Sequence, residues 1–207
     1  MKFESLDFYD QSTDLHFHKL NPSLNGGDDH FYSLINKWDS ENIRNFLTTP
    51  LGNSLRHDAQ LEPTLDNYVV LNKSMEVIGA TTLEADVPII GFLDLFDYIN
   101  KFKDKKEPHF LTLENAQKLL SHQNGLYVST YVSNTELERQ GYGTKILKAI
   151  ANNATLLNHN ISPLCTMALV KITNEFSKKA LLKAGFETIP YCYEGFSKFY
   201  KMNEREL

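Results

Sequence analysis

The stretch Glu138-Arg139-Gln140-Gly141-Tyr142-Gly143-Thr144 decides the fold, because it joins a segment typical of a strand to one typical of a helix. Residues 125–133 before it are rich in β-branched and aromatic side chains. After it, apolar residues recur on one helical face: Ile146, Leu147, Ile150, Ala151, Ala154 and Leu157. The first N–H groups of a helix lack intrahelical partners and, with the helix dipole, form an anion site. Two glycines let a ligand approach the backbone, Arg139 adds positive charge and Thr144 adds a hydroxyl, so the turn predicts a pyrophosphate site.

The same glycine turn is also compatible with a tight turn that binds nothing, because short glycine motifs often occur by chance. The chain lacks the Gly-Lys-Ser/Thr sequence of phosphate-loop ATPases. The Gly-x-Gly-x-x-Gly pattern of dinucleotide-binding folds is broken as well, since Ile146 occupies the place of the third glycine. Lys171, rather than an acidic residue, ends the next predicted strand. These departures disfavour a nicotinamide or flavin enzyme and leave a pyrophosphate site or a plain turn.

Further helices and strands are predicted on both sides of this turn. Downstream we expect a strand, a helix capped by Asn174 and ended by Gly185, and two final strands: 161–172, 174–184, 186–193 and 196–202. Upstream we expect two helices, a hairpin and a helical insertion: about 28–47, 67–72 with 75–84, and about 87–123. Strand–helix–strand connections favour parallel pairing in the second half. The fold class is therefore α/β or α+β with a mixed sheet.

Composition and charge exclude several classes of protein. The chain has 207 residues, of which 42% are hydrophobic and 23% charged, so it predicts one folded domain over 1–207 with a core that needs no metal. The net charge of −5 argues against nucleic acid as a partner and is compatible with a cationic substrate, or with a role in solubility alone. We expect no membrane span and no signal peptide. Two cysteines, Cys165 and Cys192, favour a reducing, cytoplasmic compartment.

The order of motifs in the second half resembles the GNAT superfamily of N-acetyltransferases. The shared features are the Gly-x-Gly helix between two strands, the Asn-x-x-Ser helix from Asn174 to Ser177, Gly185-Phe186 and the last strand ending at Met202. The segment from Tyr68 to Leu83, including Ile78-Gly79, is similar to the central hairpin of the family. The resemblance implies a mixed, mostly antiparallel central sheet flanked by helices. It also implies direct transfer of an acetyl group from acetyl-CoA, as co-substrate, to a primary amine of a small molecule or peptide, without a metal.

The resemblance also assigns roles to particular residues. It implies that the CoA pyrophosphate binds the turn residues Arg139, Gln140, Gly141, Tyr142, Gly143 and Thr144. It implies that pantetheine pairs with the end of the preceding strand, Tyr131, Val132 and Ser133, and that the N–H near Val132 stabilises the oxyanion. Asn174 would contact pantetheine, and Ser177 would lie near the adenosine end.

Two departures from the family pattern affect binding and catalysis. Glu138 stands where the family has Arg or Gln, although Arg139 follows it. Leu181 stands where the family often has a Tyr that protonates the departing thiolate, which favours an alternative function as a non-catalytic acyl-CoA-binding or regulatory module.

Candidate catalytic residues are few. An amine is mostly protonated at neutral pH, so Glu84 is a candidate base, or else a solvated loop carboxylate. Tyr193 is a candidate acid, or else a core aromatic residue. His16 and His18 lack an evident third metal ligand, so no metal site is expected. The apolar stripe over 92–102 is core, a lid or a homodimer surface.

Overall fold

The computed structural model describes residues 8–19, 65–88, 124–134, 137, 140–158, 163–193 and 195–203. The predicted helices over 28–47, nearly all of the predicted insertion, and Glu138 and Arg139 lie outside these residues. No helix within these ranges is long and apolar enough to cross a membrane.

Eight strands of the described chain form one mixed sheet, and helices flank it, as the sequence predicted. The strands are β1 (Phe8–Asp10), β2 (Leu15–Lys19), β3 (Leu65–Leu71), β4 (Val77–Pro88), β5 (Asn124–Ser133), β6 (Cys165–Lys171), β7 (Glu187–Tyr193) and β8 (Phe196–Met202). The described helices are α1 (Tyr142–Asn152), α2 (Ala154–Leu157) and α3 (Glu175–Lys183). The strand order is β1-β2-β3-β4-β5-β6-β8-β7. The pairs β1–β2, β2–β3, β6–β8 and β7–β8 are antiparallel, and β5–β6 is parallel.

Strand pairing in the second half follows the prediction only in part. The parallel pair that was expected there forms between β5 and β6. The strand after α3, however, does not lie next to β6, because β7 and β8 form a hairpin and β8 pairs with β6. Gly195, with φ +84°, supplies the left-handed backbone conformation that this short turn requires.

Element boundaries also differ from the prediction, most clearly at three places. Strand β4 extends to Pro88, so the predicted insertion does not begin at residue 87. Strand β6 begins only at Cys165. The helix expected through Leu157 divides into α1 and α2 at Asn153, where the Ala149 carbonyl accepts hydrogen bonds from both the side chain of Asn153 at 2.8 Å and its backbone N–H at 3.1 Å.

The chain divides into two compact units, Met1–Leu83 with Thr130–Ile146, and Glu84–Ser129 with Leu147–Leu207. Fully buried side chains of the first unit include Leu15, Phe17, Leu71 and Ile78, and the Phe8 and Phe17 rings stack 4.5 Å apart. The second unit buries Leu147, Ile150, Met167, Leu181 and Tyr200. The single domain over 1–207 stays a prediction.

Candidate active site

Helix α1 begins where the glycine turn predicted a helix N-terminus. Gly141 precedes it with φ +73°, a left-handed conformation that glycine adopts without a Cβ penalty. The Lys145 N–H donates to the Gly141 carbonyl at 3.1 Å, which is the first α-helical hydrogen bond. The N–H groups of Tyr142, Gly143 and Thr144 therefore come before the first bonded turn and have no intrahelical acceptor. The first turn carries no acidic side chain that would repel an anion.

The first turn of α1 packs on the end of β5. A methyl group at Gly143 would lie 3.8 Å from the Ser133 hydroxyl oxygen and 3.8 Å from Cε2 of Tyr131. The structure thus brings together three residues that the sequence assigned to cofactor binding, Tyr131, Ser133 and Gly143. Both distances are ordinary contacts, so the described residues leave no cavity beside Gly143. The group that Gly143 offers to a ligand is therefore its backbone N–H.

Lys145 contributes a positive charge that the sequence analysis did not assign to the site. It is exposed in the first turn of α1, and its Nζ lies 5.3 Å from the centroid of the Tyr142 ring. A cation over an aromatic face is weakly attracted to it, so the contact favours a position of the ammonium close to Tyr142. The signal that could have found Lys145 is its place one residue after Thr144.

The backbone of β5 has a defined orientation near its end. The Thr130 carbonyl accepts a hydrogen bond from the Thr81 hydroxyl at 2.8 Å, and the Asn134 N–H donates to the Ile78 carbonyl at 2.8 Å. A methyl group at Gly79 would lie 2.6 Å from the Val132 carbonyl oxygen. Three alternate residues of the β5 segment, Thr130, Val132 and Asn134, therefore direct backbone groups toward β4.

Successive residues of a strand direct their backbone groups to opposite edges, whereas the N–H and C=O of one residue point to the same edge. The N–H and C=O of Tyr131 and Ser133 therefore face the edge of β5 opposite β4. The N–H of Val132, which the family resemblance suggested as the oxyanion donor, faces β4 in this geometry. The ladder between β5 and β6 comprises Leu126–Val128 with Thr166–Ala168, whereas β5 continues to Ser133.

Glu84 and Tyr127 interact electrostatically in the second unit. Glu84 is half-buried on β4, and Tyr127 is 7% exposed on β5. Burial, and then the Glu84 charge, raise the pKa of Tyr127 well above its ordinary value of 10.0. The phenol therefore stays protonated at neutral pH. Sequence reasoning missed Tyr127, since its strand reads as uniformly apolar core at that point.

The Asn174 side chain has a structural role in α3. Its Oδ1 accepts the Ser177 N–H at 3.0 Å, a helix N-cap that leaves Nδ2 as its donor group. Leu181, at the place of the acid that the family often has, is completely buried. Tyr193 ends β7 opposite Phe196, and its side chain lies outside the described part of the structure.

The structure also describes the surroundings of Cys165 and of His16. Cys165 is buried, and burial raises the pKa of its thiol to about 12, so it is protonated at neutral pH. His16 stacks on Tyr9, with ring centroids 4.5 Å apart. In the described ranges, no group of three or more His, Cys, Asp or Glu residues is arranged to hold a metal ion.

No protein-family model and no curated protein matches this sequence. Solved structures match its fold. A GNAT-family acetyltransferase from Streptococcus agalactiae 2603 aligns with TM-score 0.56 and 11% identity, over 97% of this chain and 100% of that one. Spermidine N-acetyltransferase from Vibrio cholerae, in complex with CoA and spermine, aligns with TM-score 0.52 and 12% identity, over 92% and 96%. AAC(6')-Ib, in complex with paromomycin and acetyl-CoA, aligns with TM-score 0.52 and 13% identity, over 91% and 93%.

The chain has the GNAT acetyltransferase fold. The alignment covers more than 90% of this chain and of each of these three neighbours. Within this GNAT fold, Gly79 has a steric role, because any side chain there would collide with the Val132 carbonyl of β5.

Proposed function

We propose that this chain is an N-acetyltransferase that uses acetyl-CoA as co-substrate and transfers the acetyl group directly to a primary amine of a small molecule or peptide. The observation that carries the proposal is the N-terminus of α1, packed on the end of β5 in a chain with the GNAT fold. Outward N–H groups, a glycine at φ +73° and the Lys145 ammonium fit a pyrophosphate.

The pyrophosphate binds the N–H groups of Tyr142, Gly143 and Thr144 in this proposal, next to Gln140 and Gly141. Hydrogen bonds from backbone N–H groups to a charged oxygen are about twice as strong as those between neutral groups. The helix dipole adds to them, because its positive end lies at this terminus. Arg139 precedes this turn in the sequence, and we assign it a supporting charge.

Pantetheine pairs with the edge of β5 that faces away from β4, where Tyr131 and Ser133 direct their backbone groups. An extended ligand that adds to a strand edge gains main-chain hydrogen bonds. The Tyr131 N–H, rather than that of Val132, then donates to the thioester carbonyl, on which negative charge develops during attack. The proposal keeps Asn174, through Nδ2, and Ser177 as further CoA contacts.

The acceptor amine must lose a proton before it attacks, because an amine with a pKa of about 10 is mostly charged at neutral pH. Glu84 is the proposed base, since its carboxylate is half-buried and its charge contributes to the raised pKa of Tyr127. Tyr193 remains the proposed acid. The charge of the whole chain, −5, favours approach of a cationic acceptor.

Calorimetric titration with acetyl-CoA tests the binding part of the proposal. We expect micromolar affinity for the wild-type protein and its loss in Gly143→Trp, because an indole there would crowd Ser133 and Tyr131 and displace the first turn. Lys148→Trp is the matched control, since it places the same side chain at an exposed position of α1 and should bind normally. Absence of binding by folded, CoA-free wild-type protein at millimolar ligand would refute the proposal.

A non-catalytic acyl-CoA-binding module is the second candidate, and buried Leu181 is the observation that favours it. Release of free thiol from acetyl-CoA distinguishes the two candidates. Spermine and paromomycin, the ligands of two structural neighbours, are suitable first acceptors. Turnover with any amine of a broad panel supports the enzyme, whereas tight binding without turnover supports the module.

A further inference from the structure

Thr81 on β4 makes a hydrogen bond that a regular sheet does not require. Its side chain is completely buried, and its hydroxyl donates to the Thr130 carbonyl of β5 at 2.8 Å. A carbonyl oxygen can already be satisfied by the amide of a neighbouring strand. The extra donor therefore acts on one particular peptide group, at the point of β5 that lies two residues beyond its ladder with β6.

The peptide group that Thr81 contacts contains the Tyr131 N–H. A peptide unit is planar and trans, so the Thr130 C=O and the Tyr131 N–H belong to one rigid plane and point in opposite directions. A hydroxyl that holds the carbonyl on the β4 side therefore fixes the direction of the N–H on the other side. A hydrogen bond accepted by the carbonyl also polarises the peptide and strengthens its N–H as a donor.

We propose that Thr81 is a positioning residue: its hydroxyl, through the Thr130–Tyr131 peptide group, orients and strengthens the Tyr131 N–H as the donor to the thioester carbonyl of acetyl-CoA. This inference rests on the proposed function. It explains why a hydroxyl is buried at a strand position where valine would have the same shape. It also gives Gly79 and Thr81 related roles, since both act from β4 on alternate carbonyls of β5, those of Val132 and Thr130.

Comparison of the affinities for acetyl-CoA and for CoA isolates the hydrogen bond that the Tyr131 N–H donates, because only acetyl-CoA has the thioester carbonyl. For Thr81→Val, which removes the hydroxyl and keeps the shape, we expect about a threefold to tenfold weaker affinity for acetyl-CoA. The affinity of Thr81→Val for CoA should not change. Thr81→Ser, which restores a hydroxyl, should recover most of the affinity for acetyl-CoA.

Thr82→Val is the matched control on the same strand. The Thr82 hydroxyl donates to Asn67 Oδ1 at 2.8 Å and does not contact β5 through this bond, so both affinities should stay at the wild-type value. Equal changes in the affinities of Thr81→Val for both ligands, or no change in either, would overturn the inference while leaving the proposed function intact. Failure of the wild-type protein to bind either ligand would instead overturn the proposed function.

Amide NMR of the wild-type protein tests the inference without relying on a variant that could misfold. The Tyr131 amide proton should move downfield when acetyl-CoA replaces CoA, because its acceptor is then the thioester carbonyl. The amide of Leu126, in the β5–β6 ladder, should respond equally to both ligands. A Tyr131 resonance that does not distinguish acetyl-CoA from CoA would contradict the proposed positioning role.

Discussion

Replacement of Gly79 by alanine tests how closely β4 and β5 approach at the candidate site. The added methyl group would lie 2.5 Å from Cδ1 of Ile146 and 2.6 Å from the Val132 carbonyl oxygen. The Ile146 contact involves the end of a flexible side chain, which can rotate away. The Val132 contact involves backbone, so β4 and β5 must separate to relieve it.

The expected loss of stability follows from two opposing contributions. Overpacking of a buried site costs about 1–3 kcal/mol. Alanine recovers about 0.5–1 kcal/mol, because glycine loses more conformational freedom in a strand. The two ranges leave a net loss of about 0–2.5 kcal/mol. Because the Val132 contact involves backbone that cannot rotate away, we expect the upper part of this range, about 1–2.5 kcal/mol, which for a chain of 207 residues lowers the Tm by about 2–10 °C.

Gly143→Ala is the matched variant with the opposite expectation. Its methyl group meets the Ser133 hydroxyl and the Tyr131 ring at 3.8 Å, which is ordinary contact. In a helix, alanine is favoured over glycine by about 1 kcal/mol, so this variant should be more stable than the wild type.

Urea denaturation at constant m-value measures the effect of each substitution. A Gly79→Ala midpoint equal to that of the wild type would refute the close approach of β4 to the Val132 carbonyl. Only the hydrogen bonds of Thr130 and Asn134 would then support the backbone direction assigned to β5.

Four further predictions concern binding, stability and pH. Asn174→Ala should lose about 1 kcal/mol of unfolding free energy with its N-cap, as measured in urea, whereas Asn174→Ser, which keeps a neutral cap, should not. A fall in acetyl-CoA affinity for Asn174→Ser would show that Nδ2 contacts the ligand. Lys145→Gln should weaken acetyl-CoA binding in calorimetry and reduce its salt dependence, and Lys148→Gln should do neither. Burial raises the pKa of the Cys165 thiol from 9.0 to about 12. The stability that the buried thiol contributes is therefore complete below pH 9.0 and is lost as the pH rises to about 12. In urea titrations over that range, the wild type should lose stability faster than Cys165→Ala. Glu84→Gln should reduce kcat at pH 7. The kcat of this variant should then rise about tenfold per pH unit until the pH reaches the pKa of the acceptor amine. A reduction in kcat that does not change with pH would argue against a role of Glu84 as base.

The start of α1 could be predicted from the sequence because its determinants are local. Gly141 and Gly143, followed by apolar residues at helical spacing from Ile146, determine where the helix begins whatever surrounds it. The Asn174 cap was predictable for the same reason, since its acceptor bonds an N–H three residues later.

The direction of the β5 backbone could not be predicted, because it depends on which residues of β4 lie opposite. A shift of one residue in the register would exchange the edges that Tyr131 and Val132 face. The contacts that fix it, from Gly79 and Thr81, join residues about fifty positions apart in sequence. The position of β8 between β6 and β7 is likewise decided by tertiary pairing, not by the segments themselves.

Leu181 weakens the case for catalysis less than its burial suggests. The group that leaves acetyl-CoA is a thiolate, and thiols have pKa values of about 8.5, so departure without protonation carries a small penalty at neutral pH. The acceptor amine, with a pKa of about 10, must lose its proton before attack, and the carbonyl oxygen gains charge as attack proceeds. The chemistry therefore requires a base and an oxyanion donor more than it requires an acid. In the proposed mechanism, Glu84 is assigned the first need and the peptide group that Thr81 holds is assigned the second, and neither assignment depends on the position of Leu181.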